Sequence, residues 1–277
     1  MRGVRVDEWV RQTESMLSKA GIESARTEAQ ILAAEVLGRD RTWVMAHPEA
    51  EIDPSAGDQL RTRRAAREPL AYILGRREFF GREFLVTPDV LIPRQETECV
   101  VDLALETVRL AQAKALDLGT GSGCIGVTLA LERPGWSVTA SDISLAAIGV
   151  AKSNAARLGA HVLFTLSDLF EGLVTGPFDA IVTNPPYVEN GARLQPEVRH
   201  FEPASALFGG PDGMGVYRRI AREASAHLRP GGVLITEVGD RQSAAVREIF
   251  VADGWRLDEV RNDLGGSARA LLFSKAG

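Results

Sequence analysis

Cysteine, histidine and long apolar runs are all scarce in this chain. Its two cysteines, Cys99 and Cys124, have too few histidines nearby to form a ligand set. Neither a disulfide nor a zinc site is implied, and both read as small buried or helix-start residues. The four histidines, His47, His161, His200 and His227, are scattered and read as structural or surface residues. No apolar stretch is long enough to span a bilayer, and the segment from Met1 to Trp9 interleaves charge with apolar side chains, unlike a signal peptide. A cytoplasmic monomer with no membrane partner is expected. Cationic excess is missing too: the net charge is -5 and the pI about 5.5, which argues against broad phosphate-backbone binding and against a direct nucleic-acid substrate. What is present is ordinary for a globular protein, 277 residues that are 45% hydrophobic and 25% charged, so disordered and fibrous classes are excluded.

Up to about residue 75 the apolar spacing is helical, as in Trp9, Val10, Met16, Leu17 and again Ile31, Leu32, Val36, Leu37, with Gly21 and Gly38 at C-terminal caps. This predicts a small helical bundle over 1–75. Asp53-Pro54 predicts a further helix running through Arg67, and Pro69 a short one ending near Gly75. Glu78-Phe79-Phe80 and Glu83-Phe84-Leu85-Val86 flank Gly81-Arg82, the pattern of a β-hairpin, and with Val90-Leu91-Ile92-Pro93 they form a hinge over 76–93. Beyond it, over 94–277, strands alternate with helices. Strands are expected near 114–118, 137–141, 161–166, 178–182 and 232–238, hence a mainly parallel α/β sheet covered on both faces. The stretches 255–260 and 270–273 are joined by too short a connection for a crossover, which predicts an antiparallel terminal pair.

Two motifs carry chemistry. Asn184-Pro185-Pro186-Tyr187 follows the apolar run Phe178-Asp179-Ala180-Ile181-Val182, where a buried strand gives way to a loop. Two prolines cannot continue a ladder, so the turn presents Asn184 and the Pro185 carbonyl rigidly. Two acceptors of that kind can hold a planar NH2 group, with Tyr187 packed on its face. Further upstream, the strand Ala115-Leu116-Asp117-Leu118 runs into Gly119-Thr120-Gly121-Ser122-Gly123, and a helix follows. A turn without Cβ atoms lets backbone approach a ligand closely, and the helix N-terminus favours negative charge. Asp142, at the next strand end, is placed to accept from ribose hydroxyls. Asp168 and Leu169, after the third strand, are placed to hold an adenine amine and ring. The glycine spacing Gly121, Gly123, Gly126 with Asp142 downstream also satisfies a dinucleotide fingerprint. Hydride transfer, however, has no use for an Asn-Pro-Pro-Tyr clamp, whereas methyl transfer to an NH2 group does, so the combination favours S-adenosyl-L-methionine.

These residues resemble the class I, Rossmann-like S-adenosylmethionine-dependent methyltransferases, with a mainly parallel seven-stranded sheet ending in an antiparallel strand. Further segments, Arg67 to Gly75, Val90 to Glu98, Phe201 to Leu207 and Gly210-Pro211-Asp212-Gly213, are similar to the HemK-type peptide-chain release factor glutamine methyltransferases. Gln95 departs from that family's pattern, where a second proline is usual, as does Ser267-Ala268-Arg269 after Asn262-Asp263-Leu264-Gly265-Gly266. The resemblance implies a substrate-recognition role for the helical region. It also implies methylation of the side-chain amide of the glutamine in the Gly-Gly-Gln loop of class I release factors, with Asn184, Pro185, Pro186 and Tyr187 gripping the acceptor. Arg61, Arg63, Arg64 and Arg67 then read either as a solvated helix face or as a contact for an acidic partner. Glu202 and Pro203 read either as shaping the substrate mouth or as a helix entry, and Arg94 and Glu96 either as placing a cofactor-covering segment or as a simple salt bridge. The alternatives are transfer to the exocyclic amine of adenine in DNA or RNA, a non-catalytic cofactor-sensing module, and, more distantly, an oxidoreductase.

Overall fold

The computed structural model describes residues 3–173, 175–263 and 265–275. Met1 and Arg2, at the head of the charge-interleaved segment, and Leu264, in the connection before the last strand, lie outside the described residues. The chain divides into two compact units. One is the stretch up to Gly75 together with Leu194–Phe201; the other is Arg76–Arg193 with the chain from Glu202 onward.

The first unit packs the helices Val6–Lys19, Ala25–Leu37, Arg41–Ala46, Asp58–Ala65 and Leu70–Leu74 around Trp9, Leu17, Ala29 and Leu32, all fully buried. A two-residue antiparallel pair joins Val4–Arg5 to Glu51–Ile52. Gly38 caps the second helix in the left-handed conformation. The helix expected from Pro54 begins only at Asp58. The reason is local: the Asp53 carboxylate accepts from the amide and hydroxyl of Ser55, a turn that competes with helix.

The four arginines are not a free face. Arg61 pairs with Asp58 and stacks over the Trp9 ring, and Arg63 pairs with Glu68. Arg64 is buried, gripped by Glu28 at 2.5 Å and Glu197 at 3.1 Å. Arg67 donates to Glu197 at 2.7 Å and to the carbonyls of Ala20 and Gly21. Glu197 sits on Pro196–Phe201, the distant helix that completes this unit, and neutralising a half-buried carboxylate takes such partners.

The second unit opens with the hairpin Arg76–Phe79 and Arg82–Leu85. Its turn falls on Phe80-Gly81, both at positive φ (52° and 69°), one residue earlier than expected. That register sends Phe79 and Phe84 into the core, and the hairpin clusters with this unit. The main sheet has seven strands: β1 Lys114–Leu118, β2 Ser137–Asp142, β3 Val162–Leu166, β4 Phe178–Thr183, β5 Leu228–Glu237, β6 Trp255–Asn262 and β7 Ala268–Lys275. Their order is β6-β7-β5-β4-β1-β2-β3, parallel except for β7, which is antiparallel to both β5 and β6. Helices Glu98–Thr107, Cys124–Glu132 and Leu145–Leu158 cover one face, and Gly215–Glu223 and Ser243–Ala252 the other. Cys124 is buried at the start of its helix, and Cys99 is the second residue of its own.

Strand order reverses at β1, whose neighbours are β2 and β4, and ligands of open α/β sheets bind beyond the carboxyl ends of strands at such a point.

Candidate active site

Register aligns the strand ends. Leu118 pairs with Ser141 on one side and Thr183 on the other, and Thr183 pairs with Thr236. The next residue on each strand is therefore in one row: Asp142, Gly119, Asn184 and Glu237. A cavity of about 270 Å3 lies there, lined by Gly119, Thr120, Gly121, Ser122, Asp142, Asp168, Leu169, Asn184 and Pro186 from the sequence reading, and also by Arg94, Thr97, Ile143 and Arg219. Gly123, Pro185 and Tyr187 are not in its wall.

The glycine turn is braced from below. Gly119, Gly121 and Gly123 all have positive φ (76°, 53° and 85°), which side-chain-bearing residues rarely adopt. The fully buried Asp117 accepts at Oδ2 from the Thr120 hydroxyl at 2.5 Å and the Gly126 amide at 2.8 Å, while its Oδ1 has no partner among the described residues. Burial pushes its pKa from 3.8 up to about 7. Asp142 holds the turn from the side: Oδ2 accepts from the Gly121 amide and Oδ1 from the Ser144 amide, both at 2.9 Å. Burial raises its pKa. Each of its oxygens keeps a further lone pair, enough for two hydroxyl donors. Asp168 is bound at Oδ1 by Arg219 at 2.9 Å, leaving Oδ2 for an amine, and the exposed Ile143 offers an apolar surface for a ring.

Asn184 Nδ2 donates to the Thr97 hydroxyl at 3.2 Å, and that hydroxyl donates to Glu237 Oε2 at 2.5 Å. A hydroxyl has one proton, so with that proton on Glu237 it can only accept from Asn184. One of the two N–H groups of Asn184 is thereby committed to Thr97, and its carbonyl oxygen is left as an acceptor. The rest of the turn is held from behind. Gln242 donates to the Tyr187 carbonyl at 2.9 Å, and Tyr187 packs into the core cluster below the sheet. Gly209 and Gly213 approach so closely that a Cβ would lie 2.5 Å from the Pro186 carbonyl oxygen and 2.3 Å from that of Tyr187, respectively. Glu202 is buried and accepts from the Ile92 amide and Arg94, so it fixes the 92–94 segment.

Reading the sequence missed Thr97, Asp117, Arg219 and Glu237. Asp117 and Glu237 had a signal, a carboxylate within or ending an apolar strand. Thr97 had only its place in the family-like segment Val90 to Glu98, and Arg219 had none.

These residues fit S-adenosylmethionine: unhindered backbone at the glycine turn for its carboxylate end, paired acceptors on Asp142 for the ribose, and Asp168 with Ile143 and Leu169 for adenine. Comparison with known proteins gives the family. Residues 8–75 match the PrmC N-terminal domain, and residues 96–205 the methyltransferase small domain. A methyltransferase from Pyrococcus furiosus shares the fold with a TM-score of 0.53 at 21% identity, over 70% of this chain and 89% of that one. Fold and site together define a class I S-adenosylmethionine-dependent methyltransferase. Among sequence relatives, the release factor glutamine methyltransferase of Koribacter versatilis is 42% identical over 94% of this chain and 94% of its own length. That of Bordetella pertussis is 45% identical over 88% of this chain and 93% of its own. The chain belongs to the release factor glutamine methyltransferase family.

Proposed function

We propose that this protein transfers a methyl group from S-adenosylmethionine to the side-chain amide nitrogen of the glutamine in the Gly-Gly-Gln loop of peptide-chain release factors, acting as a cytoplasmic monomer. The observation that carries this reading is the fixed Asn184 amide, one N–H committed to Thr97 and its oxygen left as an acceptor among the described residues, in the same cavity as Asp142 and the glycine turn. The cofactor supplies a methyl bound to a sulfonium, which leaves as a neutral thioether. An amide nitrogen is a poor nucleophile because its lone pair is delocalised. The chain's task is therefore alignment at about 3 to 3.5 Å and stabilisation of the positive charge that develops on nitrogen. The Asn184 oxygen accepts one N–H of the acceptor, and the rigid Pro185-Pro186 turn fixes the direction of approach. When the new N–C bond forms and the S–C bond breaks, the nitrogen becomes strongly acidic and gives its extra proton to water. No dedicated base is needed. The helical unit of residues up to Gly75 provides contacts remote from the chemistry, which is how binding energy is turned into orientation.

Labelled methyl transfer with peptide mass mapping tests the reading on four acceptors: an intact release factor, free glutamine, a short Gly-Gly-Gln peptide and adenine-containing DNA. Label is expected in the glutamine of the intact factor, with the peptide orders of magnitude slower. Label in DNA and none in the factor would assign the clamp to adenine instead.

A further inference from the structure

The hydrogen-bond chain behind Asn184 has a direction, and that direction decides what Asn184 offers the acceptor. We infer that Glu237 and Thr97 are positioning residues: through the chain Glu237–Thr97–Asn184 they hold the Asn184 carboxamide with its oxygen, not its nitrogen, towards the substrate. The inference rests on the reading that Asn184 accepts from the acceptor NH2.

The geometry is buried and specific. Thr97 is 2% exposed and Glu237 1%. Parallel register between β4 and β5 sets Glu237 beside Asn184, and Thr97, from the turn before the Glu98–Thr107 helix, bridges them at 2.5 and 3.2 Å. The strand end itself is pinned, because the Glu237 carbonyl accepts from the Tyr217 hydroxyl at 2.9 Å and the Thr236 hydroxyl at 3.0 Å. Glu237 therefore has little freedom to turn away. Asn184 is chemically two-faced, an acceptor at one end and a double donor at the other. Only the first face grips an NH2 group; the second repels it. An ionised Glu237 accepts the Thr97 proton, and Thr97 must then accept from Asn184 Nδ2. A protonated Glu237 donates to Thr97, whose own proton is then free to bind Asn184 Oδ1, and the carboxamide turns over.

The charge state of Glu237 thus sets the orientation. Around its carboxylate are Arg94, Glu96 and Cys99 from the segment and helix bearing Thr97, Cys124 from the next helix, Tyr187 from the clamp, Tyr217 from the Gly215–Glu223 helix and Arg269 from β7. Burial raises its pKa to about 7 and Glu96 adds to the rise, while the Thr97 bond, Arg269 and Arg94 oppose it. Deprotonation is needed for the productive orientation, so turnover should fall as pH drops through the neutral range.

The experiment measures kcat against pH at saturating cofactor and intact release factor, with cofactor affinity and thermal melting recorded for every variant. Thr97→Val, close in shape but without a hydroxyl, is expected to lose about 10- to 100-fold in kcat, the scale of a misplaced catalytic contact, while keeping cofactor affinity. Thr97→Ser should restore most of the rate. Glu237→Gln, which cannot ionise and can still accept from Thr97, should lack the acid limb seen in the wild type. A Thr97→Val variant with wild-type kcat, or an acid limb that persists in Glu237→Gln, overturns the inference. Asn184→Ala separates this from the reading beneath it: if that variant keeps full activity the acceptor clamp itself is wrong, whereas if only the Thr97 and Glu237 variants behave as wild type the clamp stands without its relay.

Discussion

Substituting Asp142 by asparagine should weaken the cofactor site at least as much as substituting it by alanine. This reverses the usual ranking of conservative and drastic changes. Both carboxylate oxygens already accept a backbone N–H, from Gly121 and from Ser144. An asparagine keeps one oxygen, so its NH2 must face one of those two donors. Leaving a buried donor unsatisfied costs about 1–3 kcal/mol, and losing hydrogen bonds to a charged acceptor costs about 1.5–3 kcal/mol. An alanine loses the ribose contacts but leaves room for water to satisfy both amides, so only the second cost applies in full. Affinity for S-adenosylmethionine should therefore fall roughly 10- to 150-fold in Asp142→Ala and further in Asp142→Asn, since about 1.4 kcal/mol is a factor of ten. Calorimetric titration of both folded variants checks it. An asparagine variant within about threefold of wild type, under ~0.7 kcal/mol, would refute the double-acceptor role.

Arg64→Met should cost about 3–5 kcal/mol, because it leaves Glu28 without its cation in a mostly buried site and leaves Glu197 with Arg67 alone; thermal melting followed by limited proteolysis would show the residues up to Gly75 opening first. A fragment starting at Arg76 should bind cofactor but methylate release factor poorly, whereas one starting at Val90 should fail to fold, since removing Phe79 and Phe84 costs about 3–5 kcal/mol each; cofactor binding by both fragments would show that the hairpin is dispensable. Gly213→Ala should lower kcat by about tenfold or more with little change in cofactor affinity, because its Cβ would push the Tyr187 carbonyl and its φ is +72°; steady-state kinetics decide it. Asp117 takes up a proton more readily folded than unfolded, so its contribution to stability is full below about pH 4 and is lost as pH rises through about 7. Melting curves across that window should slope downward in the wild type more than in Asp117→Asn, and equal slopes would contradict the assignment.

Strands β1 and β4 are legible because each is a short, mostly apolar run closed by a glycine or polar residue, and the 233–235 part of β5 likewise, whereas its start at Leu228, four residues before the expected 232, is not. Nor is the hairpin turn, because Phe80-Gly81 and Gly81-Arg82 both satisfy local turn chemistry. What separates them is whether Phe79 and Phe84 reach the core together, a fact of packing. The helix expected from Pro54 failed on a similar contest, since Asp53 can either cap a helix or close a turn on Ser55, and here it does the latter. The place of Leu194–Phe201 with the first unit was beyond reach. Its anchor is Glu197 on Arg64 and Arg67, pairs separated by 133 and 130 residues with nothing in the local pattern to match them.

The site divides along the same line. Gly119, Asp142 and Asn184 each stand at the carboxyl end of a strand, and register brings them into one row, so the residues proposed to bear on a ligand can be read off one strand at a time. Glu237 ends β5 in the same way and belongs to the same row, yet it touches no proposed ligand and acts only through Thr97. Thr97 is 87 residues from Asn184 and sits in a segment without strand or glycine signal. A ligand-facing group is selected by its own chemistry, which composition and spacing reveal. A group that orients another is selected by a distance and a proton direction, and those exist only once the strands have paired.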